Sequence, residues 1–209
     1  GYDEIRRMPQ VRWAVPIQLG DSYKGHPVLG TTPTLFTEFK SQGKGLHWAE
    51  GRAFANPADK PEAMSEVVLG AEVAKRFGHR VGDKLVLTHG AGGGPGDTDH
   101  DDHPLTIVGI LSATGAPIDR TVLLNLEGFE AMHQGWGMGI SPQALKSAAA
   151  TLPQALNPKE LQPVSLSAVW VGLHNRADVF SVRRKIESFN RDPLMAVLPG
   201  VALDELWQV

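Results

Sequence analysis

No apolar run in this chain is longer than a β-strand. The longest, such as Leu105–Leu111, are strand-sized, whereas a helix needs about 18 or more apolar residues to cross a bilayer. Each element must therefore be short and must bury its apolar face against other short elements. That restricts the chain to an assembly of brief strands and helices, and 209 residues suffice for one large domain or two small ones. The composition, 42% hydrophobic and 21% charged, is ordinary for a chain that folds this way.

The periodicity locates the elements. Residues 2–8 read as a short helix stopped at Pro9. Val11, Trp13, Val15, Ile17 and Leu19 alternate with other residues, the period of a half-buried strand over 11–19. Gly20-Asp21-Ser22 reads as the turn of a hairpin whose second arm is 23–30. Residues 35–39 suggest one helical turn, and 41–62, rich in Gly, Pro and charge, a loop. Glu66–Leu69 reads as a buried strand and Ala71–Phe77 as a short helix, with Val73 and Phe77 on one face and Gly78 at its end. A turn at 81–84 leads to strands at 85–88, Leu105–Leu111 and 121–124, then a helix at 126–133. Ser141-Pro142 are a good N-cap and first helical residue for an Ala-rich helix that must end before Pro153. A strand is expected at 165–173 and another at 194–198. Between them, 176–189 is the clearest helix, with Val179, Val182, Ile186 and Phe189 on one stripe. Trp13, Trp48 and Trp170 read as core, and Trp207 as a residue suited to a membrane interface.

Both ends of the chain are thus strand–helix units, and the middle is a series of short strands. Units of the βαβ kind tend to pair with one another. The expected fold is α+β and two-lobed: one βαβ lobe formed by residues 1–40 and 163–209, and an inserted, mostly β lobe formed by 41–162.

Several function classes are disfavoured. The net charge is −3, and Arg183-Arg184-Lys185, the one basic cluster, fits the solvated face of a helix, so no nucleic-acid partner is expected. There is no cysteine, hence no disulfide and no thiol chemistry. The glycine run at 90–96 follows a strand, but no Gly-Lys-Ser/Thr and no helix start follow it, so it is not a phosphate loop. No Gly-x-Ser-x-Gly elbow and no nucleophile–base pair occur, and the chain is expected to be non-catalytic. His26, His47, His79, His133 and His174 are scattered and read as structural or surface residues, and Asp119-Arg120 as a turn with a local ion pair.

The most unusual stretch is Asp97-Thr98-Asp99-His100-Asp101-Asp102-His103, with four carboxylates and two imidazoles in seven residues. Imidazole and carboxylate suit zinc and similar divalent ions. Two readings stand: a solvated acidic loop tip, or a weak zinc site. In the second, His100 and His103 are the central ligands, one or two of Asp97, Asp99, Asp101 and Asp102 complete the shell, and His89 at the base of the loop can join them. No other cofactor is expected.

Three segments in order carry a family resemblance. Leu46-His47-Trp48-Ala49-Glu50-Gly51-Arg52-Ala53-Phe54 is similar to a Gly-Arg-x-Phe line of MacB-type permeases. Residues 67–77 (Val-Val-Leu-Gly-Ala-Glu-Val-Ala-Lys-Arg-Phe) with 81–87 (Val-Gly-Asp-Lys-Leu-Val-Leu), and Leu105–Leu111, resemble two further lines of that family. The agreement spans residues 46–124, while the ends agree in pattern alone. The resemblance implies a periplasmic core domain of a MacB-type, FtsX-like ABC-transporter permease, with a porter-like lobe from the chain ends and a Sabre-like inserted lobe. It implies a membrane protein with one span before residue 1 and another after Val209, and a domain on the periplasmic side of the inner membrane. The implied partners are a cytoplasmic ABC ATPase, a second permease copy in a dimer, and a periplasmic adaptor or membrane-fusion protein. The implied role is to couple ATP-driven motion of the spans to substrate or adaptor handling, as export and in relation to metals. The alternative is a periplasmic metal-binding module acting through the His/Asp loop.

Overall fold

The structure, a computed structural model, describes residues 1–89, 104–137 and 165–199. In chain order the elements are α1 (Tyr2–Arg6), β1 (Val11–Tyr23), β2 (His26–Thr31), α2 (Thr34–Glu38), β3 (Lys40–Ser41), β4 (Lys44–Gly45), β5 (Trp48–Gly51), β6 (Glu66–Leu69), α3 (Ala71–Phe77), β7 (Lys84–Leu85), β8 (Thr88–His89), β9 (Leu105–Leu111), β10 (Val122–Asn125), α4 (Leu126–Gly137), β11 (Ala168–Leu173) and α5 (Val179–Glu187). The fold is α+β, a large mixed sheet with a few helices. It contains two compact units, one made of residues 1–14 and 169–209 and the other of residues 15–168.

In the larger unit the strands run in the order β1, β2, β10, β6, β9, β5. The pairings β2–β10 and β6–β9 are parallel, and β1–β2, β10–β6 and β5–β9 are antiparallel. A parallel pair needs a crossover, and α3 lies in the crossover between β6 and β9. All four residues of β6 and all four of β10 are buried. Strands covered on both faces read as continuous apolar runs rather than alternating ones, which is why Glu66–Leu69 was legible. Val28, Val67, Leu69, Val73, Ile107 and Leu124 lie in the core against these strands.

Residues 15–40 belong to this unit because the second half of β1 and all of β2 are hydrogen-bonded into its sheet. The sequence had placed 1–40 together with 163–209. The hairpin turn also lies elsewhere than expected. Lys24 and Gly25 both take left-handed backbone (φ 48° and 81°), the two-residue turn that matches strand twist. Gly20 and Asp21 remain in β1, at a register shift between Leu19 and Ser22. Burial in β1 is continuous from Ala14 to Ile17, so the expected alternation fails there, and Leu19 is 50% exposed.

The stretch 41–62 is not all loop. It holds the small β3–β4 ribbon and the edge strand β5, whose four residues are all exposed. An edge strand whose side chains are all largely exposed leaves no period-two apolar signal. Trp48 and Trp170, expected in the core, are 37% and 38% exposed. The Trp48 ring rests on Phe36 at 5.3 Å between centroids. The expected strand at 85–88 is two shorter pieces, β7 pairing with β9 and β8 with β1.

In the smaller unit, Val182 and Ile186 of α5 are buried with Ile5, Met8, Val11 and Ala14, and Phe189 packs against the same cluster. Tyr2 Oη donates to the Ala14 carbonyl (3.3 Å), and His174 N donates to the Gln10 carbonyl (3.0 Å). Residues 194–198 form no strand, although Leu194 and Ala196 still face this cluster. The predicted helix at 141–152, Trp207 and the tail lie outside the described residues.

Candidate functional site

Asp97, Asp99, His100, Asp101, Asp102 and His103 lie outside the described residues. The backbone of His89 is in β8, opposite Asp21 of β1. Among the described residues no group of three or more His, Asp or Glu could hold a metal ion.

Two of the segments that carry the family resemblance, at Gly51-Arg52 and Val108-Gly109, meet at one clamp. Glu66 begins β6 and is 6% exposed. Its carboxylate accepts two hydrogen bonds from the Arg52 guanidinium (2.6 and 3.0 Å) and one from the Ala55 N–H (2.9 Å), with Lys60 Nζ at 3.7 Å. The Arg52 hydrogen bonds hold the Glu66 carboxyl below the ordinary glutamate range against the opposing effect of burial. Arg52 N also donates to the Val108 carbonyl (2.9 Å). The backbone crosses closely here. A Cβ on Gly109 would collide with the Arg52 carbonyl oxygen and stand 2.8 Å from the Trp48 ring. The Gly-Arg and Val-Gly-Ile segments are thus two sides of one joint between β5, β6 and β9. This joint is architecture and contains no free reactive group.

Asp119 makes a second internal joint. It is 2% exposed and accepts from Thr114 N, Thr114 Oγ1 and Gly115 N at 2.8–3.0 Å. The expected ion pair with its neighbour is replaced by these local donors, and Arg120 reaches across to Glu72 instead (2.7 Å). A buried carboxylate so close to its own turn is satisfied best by that turn's N–H groups.

Arg120 leads to a charged cleft that the sequence did not reveal. An open cleft of about 790 Å³ in the larger unit is lined by Lys24, His26, Glu72, Lys75, Arg76 and Arg120, among others. Lys24 comes from the β1–β2 turn, Lys75 and Arg76 from the last turn of α3, and Arg120 from the turn before β10. Lys24 Nζ lies 4.8 Å from the Phe77 ring centroid and 5.2 Å from that of Tyr23. The Arg76 guanidinium is 5.7 Å from Phe77. His26 is 8% exposed, and its Nδ1 is 3.1 Å from the Arg120 carbonyl. A carbonyl accepts only, so Nδ1 carries the proton. His26 Nε2 is buried without a hydrogen-bond partner among the described residues. The only signal in the sequence was the adjacent pair Lys75-Arg76, which also serves as ordinary positive charge at a helix C-terminus.

No curated protein matches the chain. Among solved structures, the periplasmic region of MacB from Actinobacillus actinomycetemcomitans matches with a TM-score of 0.56 at 10% identity, covering 99% of this chain and 80% of that one. The extracellular domain of the noncanonic ABC-type transporter YknZ from Gram-positive bacteria matches with a TM-score of 0.50 at 12% identity, covering 89% and 80%. At such identities the likeness establishes the fold, and it agrees with the mixed sheet and few helices described above. Family assignment rests on the sequence, which matches the MacB-like periplasmic core domain over residues 1–189. The chain belongs to the family of MacB-like periplasmic core domains.

Proposed function

We propose that this chain is the extracytoplasmic domain of an ABC-transporter permease, performs no catalysis itself, and passes motion of the membrane spans to a substrate or a partner protein. The observation that carries this reading is the family match over residues 1–189. The structure is compatible with it: the buried carboxylates Glu66 and Asp119 are spent on joints between strands and turns, which suits a part that transmits force. ATP hydrolysis is assigned to a separate cytoplasmic subunit, and a second permease copy and a periplasmic adaptor to the assembly. The proposed direction of transport is export.

The sidedness is testable with the domain's own chemistry. The chain has no cysteine, so Lys185→Cys on the exposed face of α5 supplies its only thiol. In the full-length permease, with any cysteine outside this chain replaced by serine, a membrane-impermeant maleimide added to spheroplasts is expected to label this thiol fully. Labelling that appears only after the membrane is broken overturns the proposal.

A further inference from the structure

The cleft beside α3 gathers four cations, Lys24, Lys75, Arg76 and Arg120, against one carboxylate, Glu72. The chain as a whole has a net charge of −3, so this surplus is local and does not follow from composition. Glu72 is taken by Arg120 Nε. Lys24 and Arg76 lie over the Phe77 ring, which attracts a cation through its quadrupole but carries no charge to neutralise it. Like charges sharing one cleft repel, and an anion seated among them relieves that repulsion. The second observation is His26, which lines the same cleft. Its Nδ1–H donates to the Arg120 carbonyl (3.1 Å), so in the neutral ring Nε2 is an acceptor, and this buried atom has no partner among the described residues.

We propose that this cleft binds a phosphate group, with Lys24, Lys75, Arg76 and Arg120 facing its ionised oxygens and His26 Nε2 accepting from its P–O–H. Phosphate suits both halves of the site. Near neutral pH it carries negative oxygens and a proton to donate, whereas sulfate carries the charge without the proton. Carboxylate carries a single charge and no donor. The group is either a free phosphate ion or the phosphomonoester headgroup of a lipid, which likewise keeps a P–O–H, and the chemistry that recognises it is the same. This inference does not depend on the transporter reading.

The test is titration of inorganic phosphate into the 209-residue chain at low ionic strength, followed by NMR. Saturable shifts are expected at the amides of Lys75, Arg76 and Arg120 and at the His26 ring. Lys75 and Arg76 are exposed, so Lys75→Ala/Arg76→Ala leaves the fold intact. It is expected to raise Kd about tenfold or more, because one unit charge at contact distance in water is worth about a factor of five. Arg184→Ala/Lys185→Ala on α5 removes two exposed cations elsewhere and is expected to leave Kd unchanged. A second arm measures sedimentation with vesicles of phosphatidic acid in phosphatidylcholine. Binding there that is lost in the α3 double variant supports the site and identifies a headgroup, while phosphate binding without vesicle binding supports the site and identifies the free ion. Absence of saturable phosphate shifts, or an equal Kd in the α3 double variant, overturns the proposal. Sulfate binding as tightly as phosphate overturns the role given to His26.

Discussion

Arg52→Ala isolates the clamp on β6. The substitution removes both guanidinium hydrogen bonds to Glu66 and leaves its carboxylate with the Ala55 N–H and the more distant Lys60. Stripping one partner from a buried ion pair costs about 3–5 kcal/mol. The Arg52 side chain is 51% exposed, so water reaching the vacated position screens part of the loss, and the expected cost is about 1.5–3 kcal/mol. In a chain of this size each kcal/mol lowers Tm by about 2–4 °C. The pH dependence separates charge from packing. The Arg52 hydrogen bonds hold the wild-type Glu66 carboxyl below its ordinary value of 4.5. The folded state therefore takes up a proton less readily than the unfolded one. The stability this contributes is fully present above that ordinary value and is lost as pH falls through the depressed folded value. In Arg52→Ala, the Ala55 N–H and the more distant Lys60 are left to oppose burial, and without the dominant Arg52 contribution the carboxyl moves upward from its wild-type position, so the deficit is largest near neutral pH and shrinks in acid. Urea denaturation followed by circular dichroism, at neutral pH and at values below 4.5, measures both. Coincident midpoints at neutral pH, or a gap that does not change with pH, refute the charge argument.

Ile186→Ala empties a position buried among Ile5, Met8, Val11 and Val182 and is expected to cost about 2–5 kcal/mol. Destabilisation below about 1 kcal/mol in thermal or urea unfolding contradicts its place in that core. The Asp97–His103 tract is proposed as a weak zinc site. Calorimetric titration of zinc is expected to show binding in the parent chain, weaker binding as pH falls through the histidine range, and loss of binding in His100→Ala/His103→Ala. Equal affinity in both proteins removes the tract from any functional account.

Elements whose signal is local were legible in the sequence. β6 and β9 were read with the ends they have, and α3 with its terminating Gly78, because each is specified by a run of apolar side chains or by one residue's backbone preference. The stripe on α5 was legible for the same reason, and Val182 and Ile186 are buried as the period required. The MacB-like resemblance rested on such segments, and the Gly51-Arg52 and Val108-Gly109 lines now have a shared cause in the close crossing at Arg52. β5 was not legible, since its place in the sheet comes from backbone pairing with β9 while its side chains stay exposed. The hairpin turn was misplaced because Gly20-Asp21-Ser22 has turn composition but is held in β1, at a register shift.

The sequence by itself determined the fold class, the helices α3 and α5 and the buried strands β6 and β9, because burial periodicity and glycine's backbone freedom are properties of neighbouring residues. Tertiary structure alone decided which distant groups meet. Glu66 draws its partner from Arg52, fourteen positions earlier, and the cleft joins Lys24, Lys75, Arg76 and Arg120 from three separate elements. Charge attracts and repels through space, and no period along the chain records which charges the sheet will bring together.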